Sequence, residues 1–245
     1  MFPFSSEIAL PALGSLRPEL NLDYQSVLQH VAPLLTSDRI EKIKQVVGLR
    51  CFDVAVVLEN IYDSGNANAV MRSAEAMGFG NIHSIEPGVK HKTSQRITKG
   101  ADKWLEVQRW KSTLECVQQL KKEGKKIVVT CLENSVPLQQ VDFSVPCALV
   151  LGNEKDGASQ EMISLADERV VIPMQGFVQS YNISVAGALC LYHIFMQRMM
   201  KLGKSADLNE LQQHILMAHY YLRSQPSSED YLRELVDRGQ VLAAP

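Results

Sequence analysis

The 245 residues exceed one ordinary domain of roughly 150 residues and fall short of two, which leaves room for a full core with appended helices. Hydrophobic residues at 46%, charged at 21% and aromatic at 7% match an ordinary globular chain and exclude collagen-like, coiled-coil and disordered classes. The formal net charge of -2 is unevenly spread, with eleven basic against five acidic residues between 81 and 130 and two against seven between 131 and 190. A local basic block suits a polyanionic partner, because lysines and arginines displace counterions from phosphate backbones. A solvated, lysine-rich helix face is the alternative. The five cysteines are scattered and form no CxxC, which argues against a disulfide framework and a zinc site. The chain therefore reads as intracellular, with the cytoplasm expected and an organelle the alternative. Its longest largely apolar stretch, Ile183 to Tyr192, meets His193 short of the roughly 20 residues of a membrane span, so no membrane partner is expected.

In chain order, Ile40, Ile43 and Val47 keep helical spacing from Asp38 to Gly48, with Asp38 and Glu41 spaced as a capping box. VAVVL at 54–58 predicts a buried strand, followed by a polar turn and a helix through Ala76 that stops at Gly78. NIHSI at 81–85 predicts a weaker strand, a basic loop follows to about 111, and Ser112 caps a helix. IVVTCL at 127–132, ALVLG at 148–152 and VVIPM at 170–174 are further strands, with helices at about Gln160–Leu165 and Asn182–Leu202 between and after the last two. Alternation of strand and helix predicts an α/β fold, a parallel sheet with helices on both faces. Two short helices follow Gly203, one carrying Leu208, Leu211, Ile215 and Leu222, the other spanning Ser228 to Asp237.

The expected nucleotide motifs are missing: the only GxG, Gly78-Phe79-Gly80, sits at a helix end, and no GxxxxGK[ST], HExxH or GxSxG occurs. His214 and His219 lie five apart, the wrong spacing for shared metal ligation, and no metal site is expected. Three polar loops that follow strands remain. In the first, ENIYDSGNANAVMR, Asn66 and Arg72 lie about 120° apart around a helix, and an N-cap and a surface ion pair would account for them alone. The second, LGNEKDGAS, has glycines that let backbone approach a small ligand, although a plain strand-to-helix turn explains it almost as well. The third, IPMQGFVQSYNISVAGA, opens a helix rich in small residues, and capping explains Ser180 or Asn182 but not the whole string.

Together, and in this order, the three loops resemble the TrmH family of the SPOUT superfamily, the knotted methyltransferases acting on RNA ribose 2'-hydroxyls. The stretch TKGADKWLEV resembles the segment after the first motif in members acting on transfer RNA. The resemblance covers about Leu35 to Leu202. It implies a SPOUT domain at 51–203 with a C-terminal deep trefoil knot, an N-terminal extension at 1–50 and a C-terminal helical extension at 204–245. It also implies S-adenosylmethionine as cofactor, held by Thr130, Leu132, Gly152, Ile172, Met174, Tyr181 and Asn182, with Tyr181 standing where the family usually has leucine. Arg72 matches the family's catalytic arginine, and Asn66, Glu154, Ser180 and Asn182 match other polar positions of its active site. Lys90, Lys92, Arg96, Lys99 and Lys103 would contact RNA backbone, with Trp104 packed beneath them. The implied partners are RNA and a second copy of the chain. The implied substrate is a guanosine in the D-loop of transfer RNA, with ribosomal RNA the competing target and a catalytically silent RNA-binding module the rival.

Overall fold

The computed structural model describes residues 2–12, 19–86 and 102–241. They form two compact units, Arg50–Asp207 and the chain ends Phe2–Leu49 with Leu208–Pro245.

The terminal unit opens on β1 (Glu7–Leu10) and β2 (Leu20–Asp23), an antiparallel pair running from Glu7 opposite Asp23 to Leu10 opposite Leu20. Ile8, Leu10 and Leu22 supply its buried side. Neither strand is visible as a periodic pattern in the sequence, because four residues hold at most two inward positions. Next come α1 (Tyr24–Val31) and α2 (Ser37–Val47). The cap of α2 is Thr36, whose hydroxyl accepts from the Arg39 amide at 3.3 Å, rather than the Asp38–Glu41 box expected from spacing. Asp38 sits instead in the first turn, where its charge favours the positive end of the helix dipole, and Glu41 pairs with Lys44 at 2.8 Å.

The central unit contains β3 (Cys51–Glu59), α3 (Ser64–Ala76), β4 (Phe79–Ile85), β5 (Glu106–Trp110), α4 (Thr113–Lys122), β6 (Lys126–Thr130) and β7 (Val136–Pro137). It continues with β8 (Cys147–Leu151), α5 (Gln160–Leu165), β9 (Glu168–Val171) and α6 (Ile183–Leu202). The chain then rejoins the terminal unit with α7 (Glu210–Ser224), which opens on an Asn209–Gln212 capping box, and α8 (Ser228–Asp237).

Among the described residues the central sheet has seven strands in the order β5-β4-β3-β8-β6-β9-β7, and every pairing is parallel. Parallel strands need both faces covered, and β3 shows how the sequence provides for this. Val54, Val56 and Leu58 face one apolar layer with Val70 and Ala74 of α3 and Cys190, Leu191 and Ile194 of α6. Ala55 and Val57 face the other, with Cys116, Val117 and Leu120 of α4 and Met162 of α5. Gly187 lets α6 lie close to α3, since a Cβ there would meet Val70 Cγ2 at 2.9 Å. The edge strand β5 falls within the stretch read as loop to residue 111. Its half-polar sequence EVQRW hides it, although Trp110 Nε1 fixes it to β4 by donating to His83 Nδ1 at 2.9 Å.

Helix α6 runs unbroken over Ile183–Leu202, close to the expected Asn182–Leu202, and passes through His193, which interrupts only the apolar stretch. By length and composition alone its 20 residues suffice to cross a membrane. One side nevertheless carries polar groups matched to protein partners. Gln197 accepts from the Phe143 amide at 2.6 Å and donates to the Val141 carbonyl at 2.9 Å, while the buried Arg198 guanidinium donates to the carbonyls of Phe143 and Ser144. His193 stays in the helix as an imidazole whose pKa burial lowers below the usual 6.5.

At the opposite end of the sheet from the three loops, the β3–β4 register shifts between Cys51 and Ala55. Asp207 accepts from the Phe52 amide at 2.8 Å and from the Asp53 amide, and buried Lys125 donates to the Phe52 and Asp53 carbonyls at 2.6 and 3.0 Å. Replacing Asp207 by alanine leaves two amides of the central strand without their acceptor, and a loss of about 2 kcal/mol in urea-unfolding stability is expected. A midpoint within experimental error of the parent would show the carboxylate to be dispensable.

Candidate active site

The three polar loops emerge from the C-terminal ends of β3, β8 and β9, the end at which open α/β sheets bind ligands. After β3, Asn60 turns the chain at φ +56°, and the Asp63 carboxylate caps α3 by accepting from the Gly65 amide at 2.7 Å. This cap orients the first turn of α3, which carries Asn66.

Glu154 of the second loop accepts from Asn66 Nδ2 at 3.0 Å, the Tyr62 amide at 2.9 Å and the Asp63 amide at 3.2 Å. The Asn66 amide oxygen in turn accepts from Asn182 Nδ2 at 3.2 Å, and Asn182 Oδ1 caps α6 by accepting from the Ser184 amide at 2.9 Å. One hydrogen-bonded chain, Glu154–Asn66–Asn182, thus joins residues from all three loops. Burial opposes the charge on Glu154, but the three donors together outweigh it and hold the carboxyl below its ordinary value of 4.5. Glu154 is therefore an ionised anchor with its oxygens engaged, a poor proton acceptor for catalysis.

Beside this chain lies a cavity of about 810 Å³. Thr130, Leu132, Gly152, Ile172, Met174, Ser180, Tyr181 and Asn182 all line it, as does Glu154. Its floor is set by a tight turn in which Asn153 and Gly157 exchange backbone hydrogen bonds of 2.8 and 3.0 Å. A Cβ on Gly152 would stand 2.1 Å from the Ala158 nitrogen, so only glycine fits there.

Asn66 lies outside the cavity wall but is hydrogen-bonded to two residues on it. Arg72 lies outside it too. It is exposed on α3, about 9 Å along the helix axis from Asn66, and among the described residues no hydrogen bond or ion pair holds it. Lys90, Lys92, Arg96 and Lys99 lie outside the described residues. Lys103 is exposed, with its ammonium 5.3 Å from the ring centroid of the half-buried Trp104. Among the described residues no cluster of His, Cys, Asp or Glu could hold a metal.

Two residues overlooked in the sequence shape the site. Asn153 donates to the Asn60 carbonyl at 2.7 Å and accepts from the Lys155 and Asp156 amides at 2.8 and 3.2 Å, coupling the first and second loops. Buried Glu59, at the end of β3, accepts from Thr113 Oγ1 at 3.0 Å, Ser159 Oγ at 2.7 Å and the Ser159 amide at 2.9 Å. The available signal for Glu59 was an acidic residue closing an otherwise apolar strand, since such a group needs several donors once buried.

The profile of the SpoU rRNA methylase family matches residues 53–192, which include all three loops up to the middle of α6. The chain belongs to that family. It is 35% identical over 192 residues to the tRNA (guanosine(18)-2'-O)-methyltransferase of Borreliella burgdorferi, spanning 78% of this chain and 88% of that protein. It is 34% identical over 183 residues to the Escherichia coli protein of the same name, spanning 73% and 80%. Among solved structures it is similar to the Aquifex aeolicus TrmH/SpoU tRNA modifying enzyme, with TM-score 0.67, 31% identity and coverage of 75% of this chain and 95% of that one. It also resembles the SpoU methyltransferase AviRb of Streptomyces viridochromogenes in complex with the cofactor AdoMet, with TM-score 0.56, 26% identity and 64% of each chain covered.

The anchor role of Glu154 sets a pH dependence. Because its folded pKa is depressed, it tethers the first loop above the unfolded carboxyl value of 4.5 and releases it as pH falls through the lower folded value. Glutamine at this position offers only one acceptor oxygen to three donors. Glu154→Gln should therefore speed amide exchange at Tyr62 and Asp63 by roughly fivefold or more at pH 7. Hydrogen-exchange mass spectrometry corrected for intrinsic rates should find the same acceleration in the parent on acidification. Equal protection in both proteins at pH 7 would contradict the anchor.

Proposed function

We propose that this member of the SpoU family transfers the methyl group of S-adenosylmethionine to a ribose 2'-hydroxyl of RNA, with a guanosine of transfer RNA as the target. The observation that carries this reading is the convergence of the second and third motif loops on one cavity, to which the Glu154–Asn66–Asn182 chain ties the first. Substrate choice follows the relatives named for tRNA guanosine-18 2'-O-methylation, at 34–35% identity over most of the chain.

The cavity fits the cofactor. Its volume is that of a small-molecule site, and Leu132, Ile172 and Met174 give an apolar slot edged by backbone groups, as an adenine requires. Glu133, Glu154 and Asp156 outnumber Lys155 and Arg169 on its lining, an acidic excess suited to a sulfonium and an ammonium. S-adenosylmethionine, when bound, supplies an electrophilic methyl group. Thr130, Leu132, Gly152, Ile172, Met174, Tyr181 and Asn182 would hold it. We assign the methyltransferase domain to 51–203, with the deep trefoil knot of the fold formed by the chain through the second and third loops, and place extensions at 1–50 and 204–245. Cytoplasmic location, with no membrane partner, completes the proposal.

Asn66, Ser180 and Asn182 would position the ribose. Arg72 would grip the ribose oxygen and a neighbouring phosphate with its planar fork and stabilise the developing alkoxide. A guanidinium keeps its proton in proteins, so the 2'-hydroxyl proton passes to a phosphate oxygen or water instead. Lys90, Lys92, Arg96, Lys99 and Lys103 would hold RNA backbone.

Arg72 is exposed, and among the described residues no hydrogen bond or ion pair holds it, as expected if a second subunit completes the site. The outward side of α6 bears exposed Val185, Leu189, Tyr192 and Met199, spaced by four, three and seven residues as one helical stripe. We assign this stripe, with Phe177 and Tyr181, to a homodimer interface. Leu189→Glu should convert the dimer to a species near 27.3 kDa in light scattering. A parent already of that mass at micromolar concentration would refute the assignment.

The decisive experiment incubates the protein with labelled S-adenosylmethionine and unmodified transfer RNA or ribosomal RNA, then maps the labelled nucleotide. Label at a transfer RNA guanosine ribose is expected. Cofactor binding without transfer to either RNA would favour a silent RNA-binding module. Arg72→Lys should bind cofactor normally and transfer roughly 100-fold more slowly in single turnover, since lysine keeps the charge but loses the fork.

A further inference from the structure

Tyr62 joins a strongly exposed side chain to a tightly held backbone. Its side chain is 78% exposed. Its amide donates to Glu154 at 2.9 Å, and the next amide, that of Asp63, uses the same carboxylate at 3.2 Å. Two residues earlier, Asn60 donates to the Ile85 carbonyl at 2.9 Å, and its own carbonyl accepts from Asn153 at 2.7 Å. These bonds explain the path of the loop but not the ring, since none uses the phenol side chain. A large ring left in water on a fixed backbone is a pre-organised binding element. It stands four residues before Asn66, on the loop that Glu154 ties to the cavity wall.

We propose that Tyr62 is a stacking platform for the nucleobase whose ribose is methylated, a positioning residue for the reaction proposed above and resting on that reading. A 2'-hydroxyl inside a stacked, paired strand is poorly presented to a concave site, so the target nucleotide has to be splayed out. Its base then loses its stacking neighbours, and an aromatic face beside the ribose site replaces them. Tyrosine suits this because its ring has few rotatable bonds to immobilise, and the loop beneath it is already ordered. Stacking is tolerant of base identity, so Tyr62 holds the nucleotide in place while other groups select guanosine.

The test compares the parent, Tyr62→Phe and Tyr62→Ala in single-turnover methyl transfer to an unmodified transfer RNA transcript, with S-adenosylmethionine affinity measured by calorimetry and mass by light scattering. Tyr62→Ala should lose about tenfold to a hundredfold in the rate at subsaturating RNA, and Tyr62→Phe should recover most of it. Cofactor affinity and mass should match the parent in both. Parental transfer by Tyr62→Ala overturns the platform. A weakened cofactor affinity overturns it in favour of loop scaffolding, and a change of mass in favour of a subunit contact. A parent that transfers no methyl group to any RNA overturns the function reading and the platform with it, whereas an active parent with an unimpaired Tyr62→Ala overturns the platform alone.

Discussion

The site depends on one carboxylate. Glu154 gathers the Tyr62 and Asp63 amides and the Asn66 side chain, and through Asn66 it reaches Asn182 at the head of α6. These residues come from three loops, as far apart in the chain as Tyr62 and Asn182. Without a shared acceptor, each loop could open separately. A charged acceptor suits the task because hydrogen bonds to an ionised group are roughly twice as strong as neutral ones, and the donors keep it ionised by lowering its pKa. The same arrangement removes Glu154 from proton transfer, so charge here organises the polypeptide and leaves reaction chemistry to other groups.

The parallel sheet makes that gathering possible. All seven strands run in one direction, so the loops after β3, β6, β8 and β9 leave from the same end. The central strands β3, β8, β6 and β9 are consecutive neighbours, which puts the loop ends side by side without long excursions. The opposite end is held by different means. Asp207 and Lys125 serve the amides and carbonyls of Phe52 and Asp53 where the ladder is irregular. The two ends thus divide the work, one closed by charged side chains on backbone and the other left with a cavity.

Much of this was legible in the sequence because the central strands are buried on both faces and read as unbroken apolar runs. The helix bounds Gln160–Leu165 and Ser228–Asp237 match the expected ones, since Ser159 and the hydrophobic spacing mark their limits locally. What escaped notice was short, exposed on one side or determined at long range. β1 and β2 show too few inward residues, and β5 is a half-polar edge. Thr36 caps in place of Asp38 although Arg39, three residues on, completes no box, because a hydroxyl accepting from the Arg39 amide suffices and backbone geometry sets where the helix begins. Among the expected site residues that line the cavity, all but Thr130 and Leu132, at the end of β6 and just after it, belong to the motif strings themselves. The coupling of Glu59 to Ser159, 100 positions away, has no local pattern.

The contrast between Glu154 and Arg72 carries a further consequence. The two charged groups are both exposed and both stand in motif loops, yet Glu154 holds three donors, whereas among the described residues no hydrogen bond or ion pair holds Arg72. A structural arginine ordinarily finds a carboxylate or carbonyl within its own chain, as Arg50 does with Glu75 at 2.7 Å and Arg198 does with Phe143 and Ser144. An exposed guanidinium is consistent with the role proposed for Arg72, because one already paired would have to break that pair before gripping a phosphate. Glu154 thus spends its charge on joining loops of its own chain, whereas the role proposed for Arg72 asks for a charge left open to a phosphate.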